Sequence, residues 1–234
     1  MPTRRQRLVS LSIAALAPAS APAGFTSTYQ GSQADNTAQS TYTFPAFAIG
    51  GASADRVVCA IIWTRSGSAH TITVTIGGVA ATAIVNMAAG EARGLSAWYA
   101  SVPSGTTADV VVTPSISLDR CAAAVYTISG TTQSTYAARS GANPNSSTSA
   151  GSLATTAITV PTGGIGIAAA WIGAASSAVT WTQTSGSGTE DLDALLGTTM
   201  WGSTYQSPTT GSQAYTATGA AAVQYRVLSF AWGP

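Results

Sequence analysis

Apolar and polar positions follow each other along most of this chain in short runs, broken by Gly, Pro and Ser. The stretch TITVTIGGVAATAIV, Thr71–Val85, reads as two strands folded about Gly77-Gly78. The same pattern predicts strands over Phe25–Gln30, Ser40–Ile49, Arg56–Thr64, Thr71–Ile76, Ala80–Asn86, Leu95–Ser101, Ala108–Thr113 and Cys121–Ser129. A second set covers Leu153–Val160, Ile165–Ile172, Ala178–Thr182, Thr198–Tyr205, Gln213–Thr218 and Val223–Trp232. No segment sustains a 3.6-residue apolar stripe. The best helical candidate is Glu190–Leu196, with Thr189 as its N-cap and the acids of TEDLD favouring its N-terminus.

Two runs are apolar on both faces: RVVCAIIWT and GIGIAAAWIG. A strand of that kind belongs in the middle of a sheet covered on both sides. Each run carries a Trp near its end, Trp63 and Trp171, before a Ser-rich loop, so the two are candidate equivalents in related halves. In LSAWYASVP, Leu95, Ala97, Tyr99 and Ser101 alternate with Ser96, Trp98 and Ala100, giving one face to the core and the other to a second layer. The low-complexity segment Tyr136–Ser152 reads as a loop or linker between the halves. Together these features predict an all-β, antiparallel β-sandwich, jelly-roll-like, over 25–234, with a division into halves near 136–152 left open.

Composition sharpens the picture. Only 7% of residues are charged, against roughly 25% in an average globular protein. There is no Lys, and Ser, Thr, Gly, Asn and Gln must cover the surface. With so few charges, protection of the sheet edges falls to Pro, loops or a neighbouring subunit. Beyond residue 24, six Arg face eight acids, a balance of about −2 (6 − 8), which excludes a broad basic face for nucleic acid. No apolar run reaches the roughly 20 residues that span a bilayer.

Residues 1–24, MPTRRQRLVSLSIAALAPASAPAG, allow two readings. One is an extended arm packed on a neighbouring subunit, with Arg4, Arg5 and Arg7 pairing to an acidic partner surface. The other is an export signal, with a basic start, an apolar stretch and a small-residue cleavage site. The arm is the expectation carried forward.

Candidate chemistry is sparse. His70 sits at an expected surface turn, with no local nucleophile or orienting acid. Cys59 and Cys121 are expected as buried thiols, with a disulfide open only if their strands are neighbours. Glu190, Asp191 and Asp193 form the one acid cluster, and its spacing fits no Ca²⁺ loop. As paired carboxylates they would serve glycan hydrolysis; as helix-terminal acids they have no catalytic role. Trp201 and Tyr205 lie among hydroxyls, where aromatics either stack on sugar rings or fill a core or an interface. Asn145 opens a formal glycosylation triplet. No catalytic, metal or cofactor site is expected.

Three stretches, ADRVVCAIIWTRSGSAHTITVTIGGVAATAIV, LSAWYASVPSGTTADVVVT and CAAAVYTISG, follow one another in a distinctive order. It resembles β-sandwich structural proteins of tailed bacteriophages and related gene-transfer particles, of the head decoration, head spike and tail fibre types. The resemblance implies a non-enzymatic, oligomeric virion component. Its implied partners are copies of itself, capsid or tail proteins, and host surface glycans, with neither nucleic acid nor membrane. The alternative expectation is a secreted carbohydrate-binding module with residues 1–23 removed.

Overall fold

In the computed structural model the described residues are 24–87, 91–133, 135–142, 151–173, 178–197, 200–219 and 225–234. They form strands and no helix. The first half holds β1 (Thr26–Asp35), β2 (Tyr42–Ala48), β3 (Val57–His70), β4 (Ile72–Ile76), β5 (Val79–Ala80), β6 (Thr82–Asn86), β7 (Glu91–Ser101), β8 (Thr107–Pro114) and β9 (Arg120–Ser129). The second holds β10 (Ala138–Ala142), β11 (Ser152–Ala154), β12 (Ile158–Val160), β13 (Ile165–Ile172), β14 (Thr180–Gln183), β15 (Thr189–Gly197), β16 (Met200–Ser207), β17 (Gly211–Gln213), β18 (Tyr215–Thr218) and β19 (Tyr225–Trp232). The expected N-terminal arm, with Arg4, Arg5 and Arg7, and Asn145 lie outside the described residues.

All pairings are antiparallel, and the two halves repeat one topology. The first half has a sheet in the order β1-β9-β3-β7-β6 facing a sheet in the order β2-β8-β4-β5. Most successive strands thus switch sheets as in a jelly roll, the hairpins β4–β5 and β6–β7 excepted. The second half has β10-β19-β13-β16-β15, faced by β11-β18-β14 and β12-β17. The correspondence extends to register. Val57 pairs with Ile128 and Trp63 with Ala122; Ile165 pairs with Trp232 and Trp171 with Arg226. The two central strands are therefore offset by 108 residues at both ends (165 − 57 and 171 − 63). The expected equivalence of Trp63 and Trp171 holds.

The expected antiparallel all-β sandwich is built of four β layers. Val58, Ala60 and Ile62 face the β2-β8-β4-β5 sheet in one core. Val57, Cys59, Ile61 and Trp63 face the other way and meet Ile165, Ile167, Ala169 and Trp171 in a second core. Ala168, Ala170 and Ile172 then face the outer strands of the second half, around Trp181, Tyr205 and Tyr215. This is why both runs read as apolar on each face: the two five-stranded sheets are the inner layers, and each must bury both sides. Their strands stack in reversed order, β1 against β15 and β6 against β10. Small side chains at the contact, such as Ala122, Ala124 and Ala169, let the layers approach.

The Gly77-Gly78 hairpin forms as expected, with φ of 58° and 79°, the left-handed pair a tight hairpin turn requires. Its second arm switches sheets at Ala81: β5 pairs with β4, and β6 pairs with β7. Two expectations fail. The linker read over Tyr136–Ser152 contains β10, which pairs with β19 in unbroken register. The helix read over Glu190–Leu196 is the edge strand β15, so Thr189 caps nothing. Leu192 and Leu196 lie four apart, a spacing that suits both a helix turn and one face of a strand. The shared core takes both as strand residues.

Edges are blunted mainly by irregularity, and on β15 by the acids Glu190, Asp191 and Asp193 as well. β1 bulges at Tyr29/Gly31, β6 at Ala83/Val85, and β15 twice, while β2 carries Pro45 within its bulge.

Candidate functional site

The densest collection of polar and aromatic groups lies on β15 and β16. The β15 bulge leaves Asp191 out of register: Glu190 opposes Tyr205 and Leu192 opposes Thr204. Asp191 consequently faces the layer interface, where its Oδ2 accepts from the Tyr126 hydroxyl (2.8 Å) and its Oδ1 from Gln206 Nε2 (3.0 Å). Burial raises the Asp191 carboxyl above the usual range against these hydrogen bonds. Glu190 faces outward. It accepts from Ser203 Oγ at 2.9 Å, and Ser203 accepts from Trp181 Nε1 at 2.6 Å. Partial burial, with the charge of Asp193 adding to it, raises Glu190 as well. Asp193 is held by Val179 N (3.1 Å) and by the Trp201 indole N–H.

The sheet itself separates Asp191 from Glu190 and Asp193. A hydrolytic pair must flank one glycosidic bond from a common cleft, so Asp191 is not placed to work with either. Of the two aromatics singled out, Tyr205 is buried. It stacks on Trp181 with ring centroids 5.8 Å apart and meets Tyr215 edge-on. Its ring is a core element. Trp201 is partly exposed and lies opposite Leu195, a side chain 46% exposed on the edge strand. The face can therefore offer a contact of Trp201, Leu195 and Asp193.

His70 is not at a surface turn. β3 runs six residues beyond the expected end at Thr64 and carries it into the interior. Its Nε2 is 2.9 Å from Thr64 Oγ1, and its Nδ1 is 3.2 Å from Ser66 Oγ. A hydroxyl on each ring nitrogen suits the neutral imidazole, and burial lowers its pKa. The unfolded chain then binds the proton more readily. Stability is full above the ordinary imidazole value of about 6.5 and declines as pH falls below it. The raised carboxylates Glu190 and Asp191 act oppositely, stabilising in acid and losing that contribution as pH rises through their folded values. Urea midpoints of wild type and His70→Gln between pH 5 and 7 should diverge: the wild type should fall in acid, and the variant should fall less.

Cys59 and Cys121 are buried and free. Their strands are neighbours, but Cys59 pairs with Tyr126 and Cys121 with Thr64. Cys59 faces the shared core and Cys121 the outer one. With the sheet between them no disulfide can form. Burial pushes both thiols up. A thiol-reactive chromophore should label neither in the native protein and both in denaturant.

Two structural features escape sequence reading. Arg56, fully buried, donates to six backbone carbonyls: Val102, Ile49, Gly50, Gly51, Ser104 and Gly105. Two glycine turns are thereby tied to one guanidinium. Elsewhere, Arg65 pairs across the sheet with both Arg93 and Arg120. Neither feature has a local motif, since each is assembled from segments tens of residues apart.

No protein-family model matches the chain, and no curated protein matches it.

Proposed function

We propose that this protein is a non-enzymatic structural subunit of a phage-type particle, a head decoration, head spike or tail fibre component. It assembles in the host cytoplasm with copies of itself and with capsid or tail proteins, and it displays Ser-, Thr- and Gly-rich loops outward. The observation that carries the reading is the β10 edge. Ala138–Ala142 follows its neighbour in regular register, whereas the other three edges of the inner sheets are bulged. A regular edge offers backbone groups for strand addition. Beside it lies a groove of about 320 Å³ lined by Ile84, Val85, Asn86, Arg139, Ser140 and Gly141. The scarcity of charge fits a surface meant to meet other protein.

Light scattering should show a self-associated species, and antibody labelling should find the chain on particles in electron micrographs. Amides of β10 should gain hydrogen-exchange protection on association. A chain that stays monomeric at high concentration and is absent from particles overturns the proposal.

The partly exposed Trp201 beside Asp193 favours a second reading, a secreted carbohydrate-binding module. A native chain beginning near Gly24, with glycan binding lost in Trp201→Ala, would support it against the first.

A further inference from the structure

The junction of the two halves leaves a niche of about 340 Å³ at one end of the core between the inner sheets. Its floor is the buried Val57, the first residue of β3, paired with Ser101 at the end of β7. One side is Tyr99, two residues earlier on the same face of β7. The other side is the segment 131–133, which follows β9. Asp55, two residues before Val57, completes the lining.

The walls are fixed by the fold itself. Thr131 Oγ1 donates to the Gly233 carbonyl at 2.7 Å, and it accepts from Gln133 N at 2.9 Å and Trp232 Nε1 at 3.2 Å. The segment is thus pinned to the end of the second half. Tyr99 is half-buried, with edge contacts to Trp232 and Tyr136 at centroid distances of 5.2 and 6.2 Å. Asp55 Oδ1 accepts from the Ser53 hydroxyl, and Oδ2 accepts from Gly130 N at 2.7 Å. These bonds, that of Ser53 foremost, hold the carboxyl below its ordinary range, so it is ionised at neutral pH. Each of its oxygens keeps a further lone pair. Three other groups are unpaired. Among the described residues the Tyr99 and Ser101 hydroxyls and the Gln133 side-chain amide form no hydrogen bond. The amide still has a set place, since an added Cβ at Gly233 would stand 2.8 Å from its Nε2.

We propose that this niche binds a neutral sugar. Its lining holds one carboxylate and no arginine, which repels phosphates, sulfates and sugar acids. One carboxylate is too few for a hard cation, and among the described residues no group of three metal-ligating side chains occurs. Sugar hydroxyls match what remains. They can donate to Asp55 and exchange hydrogen bonds with Ser101 and Gln133, while a C–H face packs against Tyr99. The volume lies near the lower end of the roughly 300–1,000 Å³ typical of small-molecule sites, which suits a terminal sugar unit and not the middle of a long chain. The site is separate from Trp201: Trp232 opposes Ile165 and Trp201 opposes Ile172, the two ends of β13. All its residues come from one chain, so it rests on neither reading of function given above.

Saturation-transfer NMR and calorimetric titration of the full chain with glucose, galactose, mannose and N-acetylglucosamine test the site. At least one of them should bind saturably, and choline chloride should not. Gln133→Ala should weaken binding about fivefold, and Asp55→Asn about tenfold or more. Ser101→Trp, which fills the mouth from an exposed position, should abolish it. Trp201→Ala should leave it unchanged. If Asp55→Asn fails to fold, Gln133→Ala and Tyr99→Phe decide, because they remove groups with no hydrogen-bond partner among the described residues. No saturable sugar binding, binding of choline instead, equal binding by all variants, or a loss confined to Trp201→Ala overturns the proposal. Self-association, read by light scattering, is unaffected by any of these results.

Discussion

Arg56→Met is expected to destabilise the protein by about 3–5 kcal/mol, lowering the melting temperature by roughly 10–15 °C for a chain of this length. The aliphatic part of the side chain is nearly replaced. What is lost is a cation fully enclosed by six carbonyl oxygens at 2.6–3.2 Å. Three belong to Ile49, Gly50 and Gly51 after β2, and three to Val102, Ser104 and Gly105 after β7. Their dipoles converge on one point, and without the guanidinium they face each other unpaired. Arg56→Lys keeps the charge but has a single nitrogen in place of the planar fork. It should recover part of the stability, about half, in urea titrations followed by Trp fluorescence. Equal midpoints for wild type and Arg56→Met would refute the clamp.

Trp63→Ala should cost a similar amount, about 3–5 kcal/mol. The indole is fully buried in the core shared by both halves, and its Nε1 donates to the Ala170 carbonyl of the second half at 2.8 Å. Gly202 permits this contact, since an added Cβ there would come within 3.0 Å of the Trp63 ring. Trp171, the equivalent residue, is as deeply buried, but its Nε1 has no partner among the described residues. The pair thus separates packing from hydrogen bonding. Trp63→Phe should be the more harmful of the two Phe variants by about 1 kcal/mol. Because the shared core belongs to both halves, wild type should unfold in one calorimetric transition. Two transitions in wild type would show that the halves are energetically independent.

The register of the apolar pattern made most of the strands readable. RVVCAIIWT and GIGIAAAWIG announced inner strands because nothing else tolerates apolar residues on both faces, and they were the two positions where the repeat could be seen. Where the pattern fitted two periods, reading failed. Leu192 and Leu196 satisfy helix and strand alike, and the pairing of β15 with β16 decided between them. β10 was hidden in a Ser- and Gly-rich stretch because its pairing partner, β19, lies some ninety residues away. His70 was misplaced because β3 continues through polar residues once Thr64 and Ser66 can hydrogen-bond the ring. The acid cluster was visible as a cluster, but the bulge that sends Asp191 to one side of the sheet and Glu190 to the other was not.

Alternation and composition alone determined that this chain is all-β, built of short antiparallel strands, and covered by hydroxyls rather than charges, because side-chain period and solvation are local properties. Tertiary structure decided that two jelly rolls share one core, that Arg56 is enclosed by carbonyls, and that three arginines stand side by side. Those outcomes depend on which distant segments pair and in what register, and pairing is a property of the whole sheet.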